Sequence, residues 1–169
     1  MNQPPGPPEK ALHRSAEIDI NASIQTVFNY ISSSEKLPEW LKKCGPINGA
    51  IKVEVVKGPY SFVGATRTVD FDNGDTLVEE LTSYDPVTSY SYSVTHITNS
   101  LNKLTRAGYG QWWFTNNNSG THLKWTYSFV PNNFLAGVVL SIFLSLFYTR
   151  FMNHSLKLAK ASLERENSE

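Results

Sequence analysis

Arg67 and Glu79 are the residues whose types and spacing most invite chemistry. Each occupies an inward position of a strand-like run, Arg67 with Val63, Ala65, Val69 and Phe71, and Glu79 with Leu77, Leu81 and Ser83. The two runs are joined by Asp72-Asn73-Gly74-Asp75, a strong hairpin signal. A two-residue loop sets Arg67 opposite Glu80, whereas the apolar alternation sets it opposite Glu79; a bulge or a longer turn reconciles them. Two inward charges of opposite sign either orient a polar group of a ligand, anchor a catalytic water network, or form a structural pair that pins the strand register. Desolvation can exceed the attraction in a buried pair, so an arginine kept inside asks for a reason.

A second candidate set is aromatic: Tyr90, Tyr92, Trp112, Phe114, Trp125, Tyr127 and Phe129 all fall on inward positions of strand-like runs. Such residues either pack a core or line a pocket in which phenol and indole tips orient a largely apolar ligand. His96 aligns with Tyr90, Tyr92 and Val94 and is either a general acid/base or a strand-end histidine bonded to backbone. His13, His122 and His154 show no metal spacing, and neither a G-x-S-x-G serine nor a phosphate-binding glycine loop is present. Neither a metal nor a cofactor is expected.

The elements that position these residues read from the periodicity. Residues 15–20 alternate as a strand, Asn21 or Ser23 caps a helix running to Ser32, and residues 35–44 suggest a second short helix with Pro38 in its first turn. About six strand-like runs joined by turns follow, up to Val130. Residues 134–163 then form one long helix behind the cap residue Asn133, spanning roughly 45 Å at about 1.5 Å per residue. The predicted class is α+β: a curved antiparallel sheet of six to seven strands gripping a long C-terminal helix, with two short helices after the first strand. Residues 1–13, with four prolines in the first eight positions, read as a disordered tail; 14–165 form the domain and 166–169 a C-terminal tail.

At 100° per residue, Leu140, Leu144, Phe147, Phe151 and Leu158 share the face that grips the sheet, which makes Phe147 a further ligand-binding candidate. The opposite face is polar in the second half but carries Leu135, Val139, Ile142 and Leu146 in the first. These four are either covered by the short helices or exposed as a strip for a membrane surface or a second copy. The uncharged residues 134–149 span about 24 Å, short of the roughly 30 Å hydrocarbon core, so a buried or interfacial helix is favoured over a membrane span.

Basic and acidic residues balance at 15 each among 169 residues, so no net field recruits nucleic acid. The single cysteine, Cys44, excludes an intrachain disulfide, and the proline-rich start lacks the apolar core of a signal peptide; a cytoplasmic protein is expected.

The order of elements, together with Ile20-Asn21-Ala22-Ser23, Val27-Phe28, Pro38-Glu39-Trp40, Val63-Gly64-Ala65-Thr66-Arg67, Glu79, Leu81, Tyr84-Asp85-Pro86, Gly120-Thr121 and Trp125, resembles the START-like (SRPBCC, helix-grip) superfamily. Within it the chain looks most like the polyketide cyclase/dehydrase and lipid transport family. The resemblance implies a deep apolar pocket under the C-terminal helix. It leaves three readings: a carrier of a small hydrophobic ligand (lipid, sterol, isoprenoid or polyketide), a cyclase or dehydratase using Arg67, Glu79, Tyr92 and His96, or an interaction module without a ligand. The lack of an acid/base motif favours the carrier, to which burial of about 300 Å² of ligand would contribute roughly 7 kcal/mol before entropy costs.

Overall fold

The computed structural model describes residues 7–166. Residues 1–6 of the expected proline-rich tail and 167–169 of the expected C-terminal tail lie outside the described residues. Seven antiparallel strands form one sheet in the order β1-β7-β6-β5-β4-β3-β2. The strands are β1 (Leu12–Ile20), β2 (Ala50–Lys57), β3 (Thr66–Phe71), β4 (Thr76–Asp85), β5 (Ser89–Thr95), β6 (Thr105–Asn117) and β7 (Gly120–Pro131). β1 starts at Leu12, so residues 12 and 13 of the expected tail are strand, paired with Phe129 and Ser128.

Helix α1 (Ile24–Ser32) is capped by Ser23, whose hydroxyl accepts from the Thr26 amide, and it buries Val27, Phe28, Tyr30 and Ile31 against the sheet. Helix α2 is a single turn, Leu37–Trp40, with Pro38 at its start. The expected continuation to residue 44 is cut short: Leu41 leaves the helical region, and Cys44 and Ile47 pair their backbones across a turn with Gly45 at φ +59°. Gly45 supplies the left-handed conformation such a turn needs.

The long helix has three parts: α3 (Phe134–Phe143), a π-helical turn (Leu144–Tyr148) and α4 (Thr149–Glu166). Asn133 caps it by accepting from the Ala136 amide at 2.9 Å. Its inward residues include Leu140, Leu144, Tyr148, Phe151, Met152, Leu156, Ala159 and Leu163, all buried. The wider turn advances the helix phase by about one residue. Tyr148 therefore points inward, and Phe147, expected on the gripping face, is exposed.

The β3–β4 hairpin sets the register of the charged pair. The Phe71 amide donates the closing bond to the Asp75 carbonyl, Gly74 takes φ +85°, and Arg67 stands opposite Glu79. A three-residue loop ending in a left-handed glycine is the geometry that reconciles the turn signal with the alternation.

Candidate functional site

A cavity of about 330 Å³ lies between the sheet and the π-helical turn. That is at the low end of the roughly 300–1,000 Å³ range of small-molecule pockets. Its floor and walls come from Val69 and Phe71 of β3, Leu77 and Glu79 of β4, Tyr92 and Val94 of β5, and Trp125, Tyr127 and Phe129 of β7. The helix contributes Phe143, Tyr148 and Phe151, and the segments around Ile47 and Leu101 complete the lining. Gly108 and Gly110 of β6 leave room on this inner face, since a Cβ at Gly110 would collide with the Tyr92 ring and one at Gly108 would lie 3.0 Å from the Tyr127 ring.

The expected site residues divide into groups. Glu79, Tyr92, Trp125 and Tyr127 line the cavity. Tyr90, Trp112 and Phe114 do not: they form a packed layer beneath the short helices, where Tyr90 stacks on Trp112 and Phe114, and Phe28 meets Phe114 edge-on at 5.0 Å between centroids. The Tyr90 hydroxyl donates to the Ile31 carbonyl at the end of α1 and so is committed to the fold. Trp125 stands at the border, stacked on Trp112 at 4.7 Å on one side and facing the cavity on the other.

His96 is exposed, which corrects the expectation that it points inward. β5 ends at Thr95, and His96 adopts φ +51°, which reverses the alternation so that Ile97 lines the cavity in its place. The left-handed region is one that histidine tolerates better than most residues. Phe147 also turns away from the cavity, for the helical reason given above.

Arg67 is 1% exposed and sits behind Glu79 rather than on the cavity wall. Its Nε donates to Glu79 Oε2 at 2.7 Å, a second guanidinium nitrogen lies 2.7 Å from the same oxygen, and a third donates to the Ser34 hydroxyl at 3.2 Å. The Tyr60 ring stacks at 4.1 Å from the guanidinium carbon. Burial opposes the arginine's charge, but Glu79 and the neighbouring tyrosines outweigh it and hold the guanidinium protonated. Because both contacts end on Oε2, Glu79 Oε1 is left with no hydrogen bond among the described residues while its side chain lines the cavity.

The other polar groups of the inner wall are phenols and an indole, and Asn48, Asn73, Asp75, Asn99 and Ser100 complete the polar part of the lining. Burial pushes the Tyr92, Tyr127 and Tyr148 hydroxyls far up, with the Glu79 charge adding to the shift at Tyr92. All three are neutral donors at ordinary pH. Trp125 Nε1 influences the Tyr92 hydroxyl but makes no bond of hydrogen-bonding geometry, and it is buried without an acceptor. A buried N–H left unpaired is costly and uncommon. The residues that the sequence reasoning passed over are Tyr148 and Phe143 on the helix, and Tyr60 and Ser34 behind the arginine.

A strongly curved antiparallel sheet closed by a long C-terminal helix over an internal cavity defines a helix-grip protein. The chain belongs to the polyketide cyclase / dehydrase and lipid transport family, whose model matches residues 12–162. Among solved structures it is similar to protein MLL2253 from Mesorhizobium loti, with a TM-score of 0.69 at 15% identity over 91% of this chain and 98% of that one. Major latex-like protein 151 from Panax ginseng gives a TM-score of 0.69 at 13% identity, covering 90% and 97% of the two chains. XoxI from Bacillus cereus gives 0.66 at 19%, covering 89% and 94%. Likenesses at this identity carry the fold. Among curated proteins, none matches the chain in sequence.

Proposed function

We propose that this protein binds a small, largely apolar molecule in the cavity, as a carrier in the cytoplasm. The observation that carries the reading is a cavity of about 330 Å³ whose inner wall is mostly aliphatic and aromatic, with Glu79 and the Tyr92, Tyr127 and Tyr148 side chains as its inner polar members. A ligand hydroxyl that donates its proton to Glu79 and accepts from a neutral phenol of the wall would be matched there. A ligand carboxylate would instead meet Glu79 charge to charge, since the guanidinium is shielded behind it. The enzymatic alternative is weakened because His96, its candidate general acid/base, lies outside the cavity.

The test is displacement of an environment-sensitive apolar dye by long-chain alcohols, hydrocarbons and fatty acids. The alcohol should bind tenfold or more tightly than the acid of equal length, and Trp125→Leu should cost about tenfold in alcohol affinity while melting cooperatively. If no member of the panel displaces the dye saturably, the carrier reading falls.

The apolar strip on the helix gives the carrier a place to load. Leu135, Ile142 and Leu146 are 72%, 57% and 58% exposed, so the short helices do not cover them. The helix is long and apolar enough to cross a membrane by length and composition, yet its inner face packs on the sheet. The strip runs into the cavity wall: Phe143 lines the cavity and its ring lies 5.6 Å from that of exposed Phe147. We assign the strip to a lipid bilayer, against which ligand can pass without crossing water. Flotation with phosphatidylcholine vesicles should carry the parent upward, and Ile142→Gln with Leu146→Gln should abolish this with the melting point unchanged. A parent that stays in the dense fraction, or a double variant that melts far lower, overturns the assignment.

A further inference from the structure

The two edges of the sheet are treated differently. β1 lies under α4, with the Lys160 ammonium donating to the Asp19 carbonyl and Arg14 reaching back to Ser141 and Ser145 of the long helix. β2 pairs with β3 on one side only, and its Ile51 and Val56 are 62% and 65% exposed. The short helix α2 meets the start of β2, where the Ala50 amide donates to the Leu41 carbonyl; among the described residues no further strand pairs with its outer edge. An exposed apolar edge is a template for pairing with another chain.

The sequence of β2, Ala-Ile-Lys-Val-Glu-Val-Val-Lys, reads as its own complement about Val53. In an antiparallel pairing of two copies with Val53 opposite Val53, Lys52 meets Glu54 of the second copy and Ile51 meets Val55. We infer that the β2 edge is the interface of a two-fold homodimer in this register.

The register is set by geometry and charge together. Val53 and Val55 stand opposite Val69 and Arg67, on the inner face, while Lys52 and Glu54 stand opposite Asp70 and Thr68, on the outer face. A two-fold axis perpendicular to the sheet keeps both inner faces on one side, so residues can pair only with residues of the same face. Slipping by one position is thereby excluded. Sliding the register by two residues either way centres it on Lys52 or Glu54 and sets Lys52 against Lys52 or Glu54 against Glu54, and like charges directly opposite are destabilising. The register centred on Val53 sets Lys52 and Glu54 each against its opposite charge, with Lys57 falling beyond the strand partner. Lys52 and Glu54 already touch within one chain at 2.6 Å, so dimerisation would join two such pairs into a four-charge network. The register shifts that commonly blunt an edge lie beside Ile51 and Val56, leaving residues 52–55 regular. The contact is isologous and closes after two copies.

The test is light scattering behind size exclusion across a concentration series. The parent should approach twice the 19.0 kDa chain mass as concentration rises. Lys52→Glu alone and Glu54→Lys alone should each weaken the dimer tenfold or more, with unchanged melting points because both side chains are exposed. The double exchange should restore the dimer, and so should mixing the two single variants, whose edges complement each other. A parent that stays at the monomer mass, a dimer indifferent to both single changes, or single changes that neither the exchange nor mixing repairs would each overturn the inference.

Discussion

Replacing Arg67 with methionine should lower the melting point by roughly 6–12 °C, because it strips a buried carboxylate of its counter-ion. Glu79 accepts two contacts from the guanidinium through Oε2, and the arginine is further held by Ser34 and the Tyr60 ring. Breaking a buried pair from one side costs about 3–5 kcal/mol. The lower value, about 3 kcal/mol, applies here because Glu79 opens on the cavity; a chain of this size shifts about 2–4 °C per kcal/mol. Methionine keeps much of the apolar stem, so the loss reports on charge more than on volume. Adding Glu79→Leu should recover most of the stability, since exchanging both partners removes the stranded charge. Thermal melts of the two variants check this. A drop of under 1 kcal/mol with an altered ligand preference would instead give the arginine a direct role toward ligand.

The hairpin was legible from the Asn-Gly turn, but the partner of Arg67 was not fixed by it: a two-residue loop gave Glu80 and the apolar alternation Glu79, and the three-residue loop decides for Glu79. The same alternation revealed β7, whose Leu123, Trp125, Tyr127 and Phe129 are all buried. Element order and fold were readable for this reason. Alternation reports which face a residue takes, however, and not what lies across from it. Tyr90 and Tyr92 share a face of one strand, yet α1 fills the space in front of the first and leaves the second open. Periodicity also assumes a constant step. A π-helical turn at Leu144–Tyr148 and a left-handed residue at His96 each change that step, moving Phe147 and His96 out and Tyr148 and Ile97 in. In β2, Ile51, Val53 and Val55 alternate as in a half-buried strand, whereas Ile51 and Val55 are exposed, since β2 is the edge strand and no strand pairs with its outer side among the described residues. A sequence records an apolar side chain without recording whether its partner belongs to the same molecule.

Above pH 10 the protein should unfold in one steep transition, with several tyrosines ionising together as it does. Tyr60, Tyr90, Tyr92, Tyr127 and Tyr148 all have hydroxyls pushed well up, in each case chiefly by burial. The unfolded chain releases these protons near pH 10, whereas the native state keeps them. The native state thus binds more protons than the unfolded one above that point, and stability falls as pH rises; below pH 10 the contribution is intact. Each such group costs about 1.4 kcal/mol per pH unit, so five together cost about 7 kcal/mol per unit. Against a typical stability of about 5–15 kcal/mol, the midpoint falls near pH 11–12. Tyrosinate absorbance and circular dichroism, followed in one alkaline titration, should change together. Tyr127→Phe should make the transition shallower by about one proton and move its midpoint upward. Absorbance that climbs gradually ahead of the loss of dichroism would show that water and hydroxide reach these phenols in the native state, and the cavity would then be a wet cleft rather than an apolar chamber. A bound apolar ligand separates the cases again: by excluding water from Tyr92, Tyr127 and Tyr148 while stabilising only the folded chain, it should raise the midpoint in proportion to the logarithm of its concentration.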